Sequence, residues 1–150
     1  MTHWPEPLAR AYAACEALAR SHYENFPVAS RLLPRAMRPH VAAVYAYTRL
    51  ADDMADEGDA PAADRLARLR AWQDRLHEAV ASGAAVPRDD RDDRDGRDSL
   101  ILAALAHSIA ARDLPLSLFD DLVSAFAQDT TTPRYDSWSE IGRASCRERV

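Results

Sequence analysis

From His40 to Glu57 the chain reads HVAAVYAYTRLADDMADE, a run without a helix breaker, preceded by Pro39 and followed by Gly58. Proline suits the first positions of a helix and glycine its end, so the stretch predicts a helix of about five turns. At 100° per residue, Tyr45, Arg49, Asp52 and Asp56 fall within a sector of about 60° on one face. A single stripe therefore carries a phenol, a guanidinium and the two carboxylates of a DxxxD. Val41, Val44 and Thr48 lie beside it, and Ala43, Tyr47 and Leu50 continue apolar surface around much of the remaining circumference. A helix that is apolar nearly all round is a buried one, which would carry Asp52 and Asp56 into the fold, where carboxylates need a partner.

Such a helix end is costly by itself. Aspartate is a weak helix former, like charges four apart cost about 0.2 to 0.5 kcal/mol, and Asp52, Asp53, Asp56 and Glu57 crowd the negative end of the helix dipole. A multivalent cation relieves all three penalties. Paired hard carboxylates suit Mg²⁺, which keeps several waters and is completed by substrate phosphates. Spacing alone leaves a second reading open: a solvated acidic helix end with Arg49 as its ion-pair partner, because DxxxD is short and common in acidic chains.

The rest of the chain also reads as helix. Leu8, Ala11, Tyr12, Cys15, Leu18 and Ala19 form one apolar face and predict a helix over about 7–20. Pro27 and Pro34 interrupt the next stretch, predicting a break and a short helical piece ending at Leu33. His22 and Asn25, three apart, can face a ligand together, although a lone histidine there is as readily an ordinary surface or core residue. After Gly58-Asp59-Ala60-Pro61, the residues Leu66, Leu69, Trp72, Leu76 and Val80 recur at helical spacing, and Trp72 reads as core rather than as a ligand-stacking ring. PRDDRDDRDGRD, Pro87 to Asp98, has nothing to bury and predicts a mobile, solvated loop. Ser99 is then the expected N-cap of a helix over 100–112, ended at Leu114-Pro115, and Ser117 the expected cap of another reaching Asp129. No sustained alternating pattern suggests a strand. The expected class is all-α, with five or six helices.

Composition narrows the function. A content of 47% hydrophobic residues suits a globular chain, and a net charge of −5 argues against a nucleic-acid partner. No run approaches the roughly 18 apolar residues of a membrane span, and MTHWPEPLAR lacks a signal-peptide core, so the expected location is cytoplasmic. Cys15 and Cys146 give neither a disulfide framework nor a zinc spacing. IGRASCRERV, Ile141 to Val150, breaks with everything upstream and looks like the translation of a sequencing adapter. The expectation is a native portion over 1–139 and a non-native tail over 140–150.

SHYENFPVASRLLPRAMRPHVAAVYAYTRLADDMADEGD, Ser21 to Asp59, resembles the opening motifs of the squalene and phytoene synthase family of head-to-head prenyl synthases, with SHYENFPVAS most like the bacterial hydroxysqualene synthase branch of hopanoid biosynthesis. Weaker similarity runs through LPLSLFDDLVSAFAQD and RYDSWSE. The resemblance implies the N-terminal part of an all-α isoprenoid synthase fold with a central cavity. It casts Asp52 and Asp56 as the first aspartate-rich pair, holding Mg²⁺ against a prenyl diphosphate, with Asp53 acting behind them. It makes Arg49 and Tyr45 diphosphate contacts, and His22 and Asn25 polar positions of a loop closing over the diphosphate, although many members carry serine where Asn25 stands.

The implied reaction converts presqualene diphosphate and water to hydroxysqualene with release of diphosphate. The alternatives are condensation of two prenyl diphosphates, as in presqualene diphosphate, squalene or phytoene synthesis, and a non-catalytic family member acting as an assembly factor. Assembly factors of that kind lose acidic motif residues, which this chain keeps. A di-iron bundle would need Glu-x-x-His pairs, and the sequence has none. The resemblance leaves room for peripheral membrane association for product release and for companion hopanoid-pathway enzymes. The 150-residue chain alone is expected to be inactive, its apolar helix faces left open and the second aspartate-rich motif lying outside it.

Overall fold

The computed structural model describes residues 4–22, 32–56, 59–86 and 94–131. These contain five helices: α1 (Glu6–His22), α2 (Arg38–Asp56), α3 (Ala62–Ala81), α4 (Arg94–Arg112) and α5 (Ser117–Thr131). Among the described residues there is no strand. The expected all-α class is observed, and none of these helices is long and apolar enough to cross a membrane. The short helical piece expected to end at Leu33 falls mostly on residues 23–31, outside the described residues, as do 87–93 and the tail beyond Thr131.

The chain divides into two compact units, one comprising residues 1–49 and 75–114, the other 50–74 and 115–150. In the first, α1 packs on α4. Ala11, Tyr12, Cys15, Leu18 and Ala19 of α1 are buried, as are Ile101, Leu102, Leu105 and Ile109 of α4. The apolar period of α1 is therefore the face it buries, whereas α4 is buried all round over Ile101 to Ala106. Burial pushes the Cys15 thiol up to about 12, which makes this cysteine an inert packing group. α4 ends as a helix does when its next residue turns left-handed: Asp113 adopts φ 51°, and the Leu114 N–H donates to the Ile109 carbonyl at 3.0 Å.

A polar cluster lies within this apolar unit. The Tyr12 hydroxyl is 2.8 Å from His107 Nδ1, 2.8 Å from Ser108 Oγ and 3.1 Å from His40 Nδ1. His40 Nδ1 is also 2.9 Å from Ser108 Oγ, which donates to the Ala104 carbonyl at 2.9 Å. With the serine proton committed and one proton on the phenol, most of these contacts are satisfied when both imidazoles are neutral and carry hydrogen on Nδ1. Trp4 stacks on Tyr12 at a centroid distance of 4.0 Å. Burial raises the phenol to about 12, and it lowers both histidines, with Arg112 and His107 adding positive charge beside His40.

The sign of the pH dependence follows from these shifts. A histidine whose folded pKa lies below the ordinary 6.5 takes up protons first in the unfolded chain. Stability is fullest above pH 6.5 and falls as the pH drops below it toward the lowered values. Thermal midpoints measured from pH 8 to 5 should fall over the acid half of that range, and His107→Gln should flatten the slope. An unchanged slope in the variant would remove His107 from the effect.

In the second unit, Leu69, Trp72, Phe119 and Val123 are buried, and Gln73 Nε2 donates to Asp120 Oδ1 at 2.7 Å, tying α3 to α5. Trp72 is only 1% exposed, the core role its spacing predicts. The helix expected from Ser117 begins one residue earlier in its capping: the Leu116 carbonyl accepts from Asp120 N at 3.3 Å, so Ser117 sits inside the first turn. α5 also passes Asp129, with Thr130 and Thr131 bonding back to carbonyls one turn earlier.

Two expectations are overturned. Pro87 to Asp98 is not loop throughout: α4 begins at Arg94, and Asp98 is 4% exposed. Alternating charges allow this because Arg75 Nη2 donates to Ser99 Oγ at 3.1 Å and its Nη1 lies 3.9 Å from Asp95 Oδ1, drawing the turn against α3. Ser99 is consequently an interior residue bonding back to the Asp95 carbonyl at 2.8 Å rather than an N-cap. Burial raises the Asp98 carboxyl, opposed by Arg97, whose Nη2 is 3.6 Å away, and by Arg75 and Arg94. Of the apolar faces expected to be open in the chain alone, Leu32 and Leu118 are exposed among the described residues, and Leu66, Val80, Leu122 and Phe126 are half-buried.

Candidate metal and diphosphate site

α2 is continuous from Arg38 to Asp56, so Tyr45, Arg49, Asp52 and Asp56 keep the stripe that their spacing predicts. The helix starts where Val41 N donates to the Met37 carbonyl at 3.0 Å, with Pro39 in its first turn. Ala42, Ala43, Ala46, Tyr47, Leu50, Ala51 and Ala55 are buried. On the helical wheel these residues run from Ala42, beside Arg49, around the far side of the helix to Ala55, leaving the Tyr45 stripe in the gap. The small alanine side chains are thus buried, while the stripe carries the charged and polar groups.

The stripe itself is more open than expected. Tyr45, Arg49, Asp52 and Asp53 are half-buried, and Asp56 is exposed. The prediction that burial of the helix carries both Asp52 and Asp56 inside the fold therefore fails at Asp56. The reason is that Asp56 is the last residue of α2, just beyond the buried Ala55. Asp53 is rotated about 100° from Asp52 and does not share the axis of the stripe.

The helix supplies no basic residue to its own last turn. Its negative end is instead met from α3, where Arg65 Nη1 donates to the Ala55 carbonyl at 2.9 Å. Sequence spacing gives no sign of this contact, because Arg65 lies in an arginine-rich helix where every guanidinium looks alike.

Asp52 and Asp56 are hard oxygen donors, the kind that suits magnesium. Among the described residues no group of three or more His, Cys, Asp and Glu converges as a metal cage. Asp52 and Asp56 would offer two hard carboxylates a turn apart on an accessible face, leaving the remaining ligands to water and phosphate oxygens, the usual manner of Mg²⁺. His22 is the last residue of α1, and Asn25 lies outside the described residues. The stripe on α2 is accordingly the part of the expected site that the structure places.

The squalene/phytoene synthase family profile matches residues 19–143. The chain belongs to the squalene/phytoene synthase family. Among curated relatives of this family member, hydroxysqualene synthase of Zymomonas mobilis is 36% identical over 120 residues, covering 79% of this chain and 35% of that protein. Phytoene synthase of Rhodobacter capsulatus is 32% identical over 133 residues, covering 89% of this chain and 35% of the relative. Presqualene diphosphate synthase of Rhodopseudomonas palustris is 39% identical over 84 residues, or 56% of this chain and 27% of the relative. The chain spans about a third of the length of these relatives. In structure, squalene synthase HpnC from Alicyclobacillus acidocaldarius matches with a TM-score of 0.78 and 33% identity, over 96% of this chain and 49% of that one. The helices of this family member therefore adopt the all-α isoprenoid synthase fold.

Proposed function

We propose that this family member carries the first half of a magnesium and diphosphate site for prenyl diphosphate chemistry, and that its reaction is the conversion of presqualene diphosphate and water to hydroxysqualene and diphosphate. The observation that supports the reading is the stripe of Tyr45, Arg49, Asp52 and Asp56 along one continuous helix, half-buried at the first three and exposed at Asp56. Asp52 and Asp56 hold the metal through carboxylate oxygens. Arg49 presents a planar fork matched to phosphate oxygens, and Tyr45 a phenolic donor one turn away. Bound magnesium supplies charge neutralisation for the departing diphosphate.

In the proposed reaction the carbon–oxygen bond to diphosphate breaks and the diphosphate keeps the electron pair. The cyclopropylcarbinyl cation rearranges with cleavage of a ring bond to an open-chain allylic cation, and a water oxygen then bonds to that cation as its surplus proton is released. Arg49 and Tyr45 favour this outcome by binding the diphosphate as charge accumulates on its oxygens, so their interactions strengthen toward the transition state. Exclusion of bulk water until that point is required of the surrounding fold.

A second reading, condensation of two prenyl diphosphates, draws support from the similarity to the presqualene diphosphate and phytoene synthases. Product identification separates the two. The full-length gene product, incubated with Mg²⁺ and presqualene diphosphate, should give hydroxysqualene and stoichiometric diphosphate. Products formed only from farnesyl or geranylgeranyl diphosphate would replace this reaction with condensation, and no turnover of any prenyl diphosphate would support the assembly-factor role. The 150-residue chain by itself should release no diphosphate above background.

A further inference from the structure

Arg65 occupies an unfavourable place on its own helix. It lies in the opening turns of α3, where its N–H donates to the Pro61 carbonyl at 3.2 Å and where the positive end of the helix dipole disfavours a cation. Its side chain turns back instead to the end of α2, donating from Nη1 to the Ala55 carbonyl at 2.9 Å. That carbonyl is one of the last four of α2, which have no partner within the helix. Ala55 is only 3% exposed, so water has little access to replace the bond. Arg65 Nε is buried and makes no hydrogen bond among the described residues, so the guanidinium is held there by one directional contact and by charge.

The charge it meets is unusual. Asp52, Asp53 and Asp56 surround the negative end of α2, and the last turn has no basic residue of its own. Mutual repulsion of these carboxylates and the dipole favours fraying of that turn before any metal arrives. We propose that Arg65 is a positioning residue that holds the last turn of α2 helical, and so keeps Asp56 in register with Asp52 for metal binding. This rests on the metal reading of the pair given under Proposed function. Arg65 touches neither metal nor diphosphate in this role. It acts through the backbone at Ala55, one residue before the second carboxylate, and it reduces the ordering that the metal must otherwise impose.

Two readouts on the 150-residue chain test the role together. Hydrogen exchange followed by mass spectrometry reports the last turn of α2, and water-proton relaxation reports Mn²⁺ binding as a probe for Mg²⁺. Arg65→Ala should speed exchange at Met54 to Asp56 and weaken Mn²⁺ binding, each by about three- to tenfold, the scale of a partly buried cation at a helix C-terminus. Arg65→Lys should restore part of both, because it returns the charge without the fork. Asp56→Asn should weaken Mn²⁺ binding without faster exchange in the turn. Unchanged exchange in Arg65→Ala overturns the proposal, as does faster exchange accompanied by undiminished Mn²⁺ affinity. If the unsubstituted chain fails to bind Mn²⁺ while Arg65→Ala still exchanges faster, Arg65 is upheld as the residue ordering the turn and the metal reading is the part that fails.

Discussion

Asp52→Asn and Asp56→Asn should each lower diphosphate release by the full-length gene product on the order of a thousandfold, with helical content unchanged. Each substitution keeps the side chain's size and removes one charged oxygen ligand. Neither residue belongs to the buried face of α2, so the fold loses no apolar contact. The loss is one of charge neutralisation at the leaving group, for which a bound metal contributes several kcal/mol, and about 4 kcal/mol corresponds to three decades in rate. Circular dichroism and diphosphate release measured on the same preparations check both halves. Full activity in either variant would take that residue out of the site, and a collapse of helicity would make its role structural.

Trp72→Ala should have the largest effect on stability. The indole is 1% exposed in the unit that also buries Leu69, Phe119 and Val123. Truncation of so large a core side chain costs about 3 to 5 kcal/mol, against a total stability of about 5 to 15 kcal/mol for a typical domain. Urea unfolding followed at 222 nm should show the midpoint move down sharply, whereas Leu118→Ala, at an exposed position, should move it little. A shift below about 1 kcal/mol for Trp72→Ala would mean that the site collapses around the lost ring, and that the indole is not the packing centre of its unit.

Much of this fold is legible in the sequence because helices advertise themselves locally. Leu69, Trp72 and Leu76 recur at the spacing of one face, and all three are buried. Asp113 and Leu114, by contrast, end α4 through a left-handed residue that is not glycine, and only the following proline hints at it. Charge runs read poorly. Arg94 to Asp98 looks like solvated loop, yet it forms the first turn of α4 because Arg75, from another helix, engages Asp95 and Ser99.

The candidate site divides along the same line. The stripe of Tyr45, Arg49, Asp52 and Asp56 is visible from spacing because one helix carries all four. What the spacing does not yield is which face the fold covers, and the assumption that apolar surface on most sides means burial on all sides misplaces Asp56. Contacts between distant segments have no local signal. Tyr12 and His107 meet from 95 positions apart, and no periodicity in either α1 or α4 marks them as a pair. Arg65 is closer, ten positions from Ala55, but its function depends on a turn whose geometry only the folded chain fixes.

The most direct test of the acidic stripe is calorimetric titration of the 150-residue chain with inorganic diphosphate, with and without Mg²⁺. If Asp52 and Asp56 hold diphosphate through a metal, binding should be strong only with Mg²⁺ present and should disappear in the Asp52→Asn, Asp56→Asn double variant. Binding of equal strength without Mg²⁺, or unaltered in the double variant, would contradict the account and leave Asp52 and Asp56 as a solvated helix end.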